Sequence, residues 1–426
     1  MKKKRILSLM IAAVLCMLLL ADCGDNSQTG GDGSGNHSEG STVTAAADND
    51  DNSKDNDKDD EKESLPVEDG IIQSSMTAMD YAKEMGVGIN LGNTFESFWL
   101  DESNETTGAQ VIGSNTPYDY ETCWGAVYTS SDAVKGMKDA GFHTVRVPVY
   151  WGNMMENDGK YEINNDYFDR VQEVIDYCID NDLYVIINIH HYDEFLIKNK
   201  TKEEVLEITE SLWTQIAERY KDYPDYVAFE GFNENLGSHR EEDNFTKDEI
   251  YDYVNKMNQT FVSAVRATGG NNAERVLIVS GYWTNIDNTT KDLFKMPVDS
   301  AKDKLMVSVH YIDNACYWTN RIGGTYWKDY SIAQCELLKK AFTDNGIPVF
   351  VGECTSIYEA ERFASDAEYT ESSACLEYIL NLAVDYGFVP VLWDINDHFY
   401  SRTEHKIKSD SDQEVIARIA EEIAKR

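Results

Sequence analysis

The chain has 426 residues, with 38 Lys plus Arg against 76 Asp plus Glu and a formal net charge of −38, a surface that repels phosphate backbones and excludes nucleic acid as the default partner. Hydrophobic residues make up 42% and aromatics 11%, with 25 Tyr and 8 Trp, enough for a large core with rings left over for recognition. The eight Cys form no CxxC pair or other tight ligand spacing, which excludes a zinc module.

In chain order, Lys2 to Arg5 precede an apolar run from Ile6 to Ala21, the charged and hydrophobic regions of a secretory signal and short for a membrane span. The run ends in Leu20, Ala21, Asp22, Cys23, Gly24, which resembles the lipobox of bacterial lipoproteins; Asp22 departs from it, because a small residue normally precedes the lipidated Cys. Residues 1–23 are therefore expected to be a signal peptide and Cys23 a candidate lipid anchor, the only membrane contact expected. The protein is expected to be extracellular, held at the cell surface or otherwise secreted. Residues 24–73 are Gly, Ser, Asn, Asp and Glu with almost no apolar side chain, and are expected to form a disordered acidic tether. Its like-charge block, Asp48 to Glu63, reads as a spacer, since it lacks the spacing and Gly of a calcium loop.

Residues 74–426 alternate between strand and helix patterns. Strands are expected at Gly86 to Leu91, Thr144 to Val149, Tyr184 to Ile189, Val227 to Phe232, Arg275 to Ser280, Lys304 to His310, Pro348 to Gly352 and Val389 to Asp394. Helices are expected at Tyr167 to Asp180, Lys202 to Tyr220, Lys247 to Thr268, Ile332 to Thr343, Asp366 to Tyr386 and Gln413 to Lys425, with only a turn or two at Asn288 to Phe294. Strand then helix, repeated eight times, specifies an α/β protein, the (β/α)8 or TIM barrel, expected to be a monomer.

Reactive groups in such a barrel belong at the strand ends. There the chain places Arg146, His190 and His191, Asn233 and Glu234, His310 and Tyr311, Glu353, and Trp393 with Asp394. A guanidinium inside the apolar run Thr144 to Pro148 needs a carboxylate neighbour. Carboxylates on the fourth and seventh strands face each other across the mouth, which suits two acids flanking one bond.

The blocks Gly88 to Thr94, Glu121 to Gly125, Gly141 to Pro148, Ile187 to His191, Phe229 to Glu234 and Val351 to Glu353 resemble, in order, those of glycoside hydrolase family 5 endoglucanases. The resemblance runs from about Thr77 to Asp394. It implies retaining, endo-acting hydrolysis of a β-1,4-linked glucan of the cellulose, xyloglucan or mixed-linkage type, with Glu234 as general acid/base and Glu353 as nucleophile. It implies a substrate-binding set of Arg146, His190, Asn233, His310 and Trp393: Asn233 on the sugar hydroxyl beside the cleaved bond, Arg146, His190 and His310 ordering the carboxylates, and Trp393 under the sugar on the non-reducing side. It implies no cofactor and no metal.

Arg146 beside Glu353 would favour that carboxylate as an anion, and Glu234, if more desolvated, would hold its proton longer. Rim aromatics, Phe98, Trp99, Tyr118, Tyr120 and Trp124, then Tyr282 and Trp283, then Tyr317, Trp318, Tyr326 and Trp327, are expected to stack on sugar faces. The sixth-strand block departs from the family's His, any residue, Tyr: Ile312 stands where the Tyr is expected, and Tyr311 or Tyr317 would have to replace it through a bulge. Three alternatives stay open at this stage: a β-mannanase of the same family, a surface glycan-binding lipoprotein with a weakened site, and a metal-dependent hydrolase using His190, His191 and His310.

Overall fold

Eight parallel strands, paired in chain order and closed by the first against the eighth, form the barrel: β1 Gly88–Asn90, β2 Thr144–Val147, β3 Tyr184–Asn188, β4 Val227–Glu230, β5 Leu277–Ser280, β6 Leu305–His310, β7 Val349–Thr355 and β8 Val389–Trp393. The computed structural model describes residues 75–191, 200–236, 245–317, 326–358 and 369–425; the expected signal, anchor and tether lie outside the described residues.

The strands read as continuous apolar runs because both of their faces are covered. One parity, including Ile89, Val145, Val147, Ile187, Phe229, Val279 and Val309, packs outward against the helices. The other fills the barrel, and its chemistry changes along the axis. At the lower end Ile186, Ala228, Ile278, Met306, Phe350 and Val391 pack on Ala78, Tyr81 and Met85 beneath the barrel. One step further along the strands the inward positions are Asn90, Arg146, Asn188, Glu230, Ser280 and Ser308, all buried. A polar layer therefore floors the upper mouth.

The outer helices begin where a side chain can satisfy free N–H groups. Asn164 accepts from Asp166 and Tyr167 ahead of helix Asn165–Ile179, and Thr201 with Glu204 and Thr246 with Glu249 form reciprocal caps on helices Lys202–Tyr220 and Lys247–Ala267. After β5 a 3-10 turn, Tyr282–Thr284, and a single helical turn, Ile286–Thr289, follow; the helix is as short as expected but lies earlier than the expected Asn288 to Phe294. Helix Tyr326–Ala341 starts six residues before the expected Ile332, Ser372–Asp385 starts six after the expected Asp366, and Asp410–Ile423 lies two to three residues before the expected bounds. Helices Ala78–Glu84 and Ser131–Asp139 were not anticipated. The second contains Gly136, a poor helix former, because a Cβ there would lie 2.2 Å from the Tyr400 hydroxyl.

Buried charges join the loops that leave β1 and β8. Arg402 donates from Nη1 to Thr94 Oγ1 (2.6 Å) and from Nη2 to the Gly92 carbonyl (3.0 Å). Asp394 accepts from the N–H groups of Phe399 (2.7 Å) and Tyr400 (3.1 Å), and Glu96 from those of Asn93 and Thr94. Burial raises the Glu96 carboxyl from an ordinary 4.5 to about 7 and that of Asp394 to about 6. Such groups hold their protons longer when folded than unfolded, so their contribution is complete below about pH 4 and is lost as pH rises toward 7. For Glu96 the change is on the order of 3 kcal/mol. We expect Glu96→Gln to flatten the fall in melting temperature between pH 4.5 and 7, and an undiminished slope in that variant would reject the assignment.

Candidate active site

Arg146 occupies the centre of the polar layer and is wholly buried. Its Nε donates to Glu230 Oε2 (2.7 Å), Nη1 to Asn90 Oδ1 (3.0 Å) and Glu353 Oε1 (3.1 Å), and Nη2 to Asn233 Oδ1 (2.8 Å). Burial alone would weaken its charge, but the carboxylates of Glu230 and Glu353 outweigh that and raise its pKa. The carboxylate neighbour demanded by the sequence is thus two carboxylates. Glu230 is further held by Ser308 Oγ (2.7 Å) and Asn188 Nδ2 (3.0 Å). Because every nitrogen of Arg146 is committed to protein groups and none is exposed, its place in the substrate-binding set is corrected: it positions Glu353 and Asn233 and does not reach substrate.

Glu353, in β7, and Glu234, just beyond β4, meet at His310. His310 Nδ1 lies 3.3 Å from Glu234 Oε1 and 3.6 Å from Glu353 Oε2. Glu234 has a left-handed φ of 44°, a conformation that costs a non-glycine residue about 1–3 kcal/mol, and its N–H is tied to Thr284 Oγ1 (2.9 Å). That conformation lifts the side chain into the cleft, so the expected difference in desolvation is reversed: the Glu234 side chain is 38% exposed and that of Glu353 is 6%. The partners differ instead. Glu353 accepts from a guanidinium and from a phenol, whereas Glu234 faces the imidazole and the open cleft.

The phenol belongs to Tyr311. The pairing of β6 with β7 slips between Val309 and His310, Tyr311 adopts φ 54°, and its N–H donates to the Glu353 carbonyl (2.8 Å). This bulge turns its hydroxyl onto Glu353 Oε2 (2.7 Å) while Ile312 packs into the core. The hydroxyl missing at position 312 is supplied from 311, which removes the motive for a weakened site. A hydrogen bond to a charged group contributes about 1.5–3 kcal/mol. We expect Tyr311→Phe to lower kcat/KM roughly 10- to 100-fold with little change in melting temperature; wild-type kinetics would show the contact idle.

His190 is nearly buried, lies 3.4 Å from Asn188 Nδ2 through Nδ1, and stacks with its ring 5.9 Å from that of Trp393. Its hydrogen bond runs to Asn188 and not to Glu234 or Glu353, so it supports the floor and the Trp393 side of the cleft. Burial pushes the His190 imidazole well below its ordinary range and that of His191 down to about 4. His191 sits between Phe98 and Trp124, with ring centres 5.9 and 5.7 Å away. Phe98 stacks on Tyr150 at 4.1 Å, and Trp124 donates from Nε1 to the Phe98 carbonyl (2.8 Å). Trp393 remains partly exposed beside them.

Two rim aromatics are corrected: Tyr120 and Trp327 are core residues, Tyr120 with its hydroxyl on Asn115 (2.6 Å) and Trp327 packed on Tyr369 and Tyr378. Trp318 and the side chains of Tyr317 and Tyr326 lie outside the described residues. Glu230, Asn90, Ser308 and Thr284 are site residues that went unassigned at the sequence level. For Glu230 a signal existed, an acid in an apolar strand two positions after inward Ala228.

Residues 100–399 match the family model described as cellulase (glycosyl hydrolase family 5). Endoglucanase B of Ruminococcus albus is 32% identical over 401 residues, covering 92% of this chain and 90% of that protein. Endoglucanase A of Clostridium longisporum is 35% identical over 332 residues, covering 76% of this chain, which spans only 60% of that relative. A broad-specificity endoglucanase from an uncultured bovine rumen ciliate superposes with a TM-score of 0.68 at 31% identity, over 82% of this chain and 99% of that one. A Bacteroides ovatus xyloglucanase solved with a heptasaccharide gives 0.69 at 28% identity, over 84% and 81%. With two glutamates facing one cleft above a buried arginine, the chain belongs to glycosyl hydrolase family 5 and is a cellulase-type glycoside hydrolase.

Proposed function

We propose that this chain is a retaining endo-β-1,4-glucanase in which Glu234 is the general acid/base and Glu353 the nucleophile. One observation carries the reading: an oxygen of Glu234, an oxygen of Glu353 and a ring nitrogen of His310 lie within 4.8 Å of one another. That spacing agrees with the roughly 5–5.5 Å of retaining enzymes and falls short of the about 6.5–9.5 Å that an inverting enzyme needs for its water.

Glu234 protonates the leaving oxygen as Glu353 bonds to the anomeric carbon and inverts it. Glu234, now a base, takes a proton from water, which displaces Glu353 and inverts the carbon again. Asn233, fixed by Arg146 Nη2, is placed to bond the hydroxyl next to the anomeric carbon, and Trp393 supports the sugar on the non-reducing side. The relatives named for endoglucanase, xyloglucanase and lichenase activity support a β-1,4-glucan backbone with branched and mixed-linkage forms accepted. The test is reducing-end release from cellulose derivatives, xyloglucan, mixed-linkage glucan and mannan. Faster cleavage of mannan than of every glucan would overturn the substrate, and an inverted first product would overturn the mechanism.

Glu234, His310 and Glu353 also form a donor set able to hold a cation. Since the steps above need only carboxyl groups, we expect full activity after thorough chelation; loss restored by a divalent ion would return the metal-dependent reading. The segment ending at Cys23 supports export and lipid attachment at the cell surface, and transfer of labelled fatty acid that Cys23→Ser abolishes would test it.

A further inference from the structure

The long segment between β1 and β2 contributes Phe98 and Trp124 to the cleft, and it also carries exposed Tyr118 (57%), Val127 (36%) and Tyr128 (43%). The rings of Tyr118 and Tyr128 are 5.8 Å apart at 33°. Neither ring sits on a loose support. Tyr118 belongs to a helical turn, Pro117–Glu121, closed by Thr116 and Asp119. Tyr128 lies with one face 3.8 Å from the Arg170 guanidinium. That guanidinium is nearly buried and donates to Glu121 (2.9 and 3.0 Å), to the Thr129 carbonyl (2.7 Å) and to Glu173 (2.6 Å). Its charge is already paired by two carboxylates, so the tyrosine is not needed to balance it; its effect on Tyr128 is to fix the ring while the remainder stays open to solvent. Rings held rigid before binding lose little entropy when a ligand stacks on them.

We propose that Tyr118 and Tyr128 form a second β-glucan-binding patch, outside the catalytic cleft, that holds the polymer as it leaves it; the proposal rests on the glucanase reading above. Two observations select this occupant. Trp124, in the cleft wall, is four residues from Tyr128, so their Cα atoms are at most about 14 Å apart, and a chain emerging beside Trp124 comes within reach of the pair. A net charge of −38 disfavours polyanions, whereas a neutral glucan offers apolar CH faces to tyrosine rings. The chain's own segment from Asp25 to Ser64 has almost no apolar side chain with which to cover them.

The test uses the full-length protein with Tyr118→Ser and Tyr128→Ser together. We expect KM on soluble polymeric β-glucan to rise about three- to tenfold, with kcat and the kcat/KM for cellotetraose within about twofold of wild type. In a Glu353→Gln background, electrophoretic retardation by β-glucan in the gel should fall with the serine pair and be kept by Tyr118→Phe with Tyr128→Phe. Tyr118→Ser alone, which leaves Tyr128 on the Arg170 guanidinium, guards against loss of fold. Unchanged polymer KM and unchanged retardation overturn the patch, as does a concentration-dependent dimer that the serine pair abolishes. If the unmutated protein cleaves no glucan, the glucanase reading fails, while retardation, which needs no turnover, still judges the patch.

Discussion

Glu353→Gln and Glu234→Gln should each lower turnover on β-glucan by several orders of magnitude while the domain stays folded, and the two losses should respond to different remedies. General acid catalysis contributes about 10²- to 10⁴-fold, and it matters less as the leaving group becomes able to depart without a proton. An aryl glycoside with an acidic phenol should therefore restore bond cleavage to Glu234→Gln and leave Glu353→Gln inactive. A small anion tests the other role. In Glu353→Ala, azide can enter the space below the anomeric carbon and displace the leaving group once, giving a product of opposite configuration. In a Glu234 variant it attacks the glycosyl-enzyme instead, and two inversions restore the starting configuration. If both variants respond alike to leaving group and azide, the roles have been assigned to the wrong pair.

The barrel was legible because its strands are apolar on both faces and alternate with helical patterns. Periodicity finds such elements without knowing what they pack against. Glu234, Glu353 and Asn233 were legible for a related reason, since strand ends are where a barrel exposes reactive groups. What stayed hidden depends on contacts between segments distant in sequence. Arg146 announced that it needed a carboxylate, yet which one follows from side-chain parity and strand register, and Glu230 reaches it from β4 across β3. Tyr311 was one of two candidates for the missing hydroxyl, and the choice between it and Tyr317 stayed open because a bulge adds a residue without marking the local pattern and its effect depends on where β7 lies. The greater exposure of Glu234 comes from one left-handed backbone angle. Thr94 and Arg402 are separated by most of the barrel, and the buried hydrogen bond between them exists only once β8 closes on β1.

Replacing Arg146 by Met should cost both stability and activity, and the two losses should separate. The guanidinium has a shorter contact with Glu230 (2.7 Å) than with Glu353 (3.1 Å), and Glu230 has no exposure to solvent. Removing one member of a buried pair leaves the other charge uncompensated, at about 3–5 kcal/mol, so a marked fall in melting temperature is expected. Arg146→Met combined with Glu230→Gln removes the stranded charge and should recover much of that stability. It should not recover turnover, because Asn233 has lost the donor on Oδ1 and Glu353 the donor on Oε1. The double variant should therefore be folded and slow, which thermal unfolding and kcat/KM on soluble β-glucan measure separately. A double variant that is folded and turns over at the wild-type rate would mean that Arg146 serves only Glu230 and the floor, and that Glu353 and Asn233 keep their places without it.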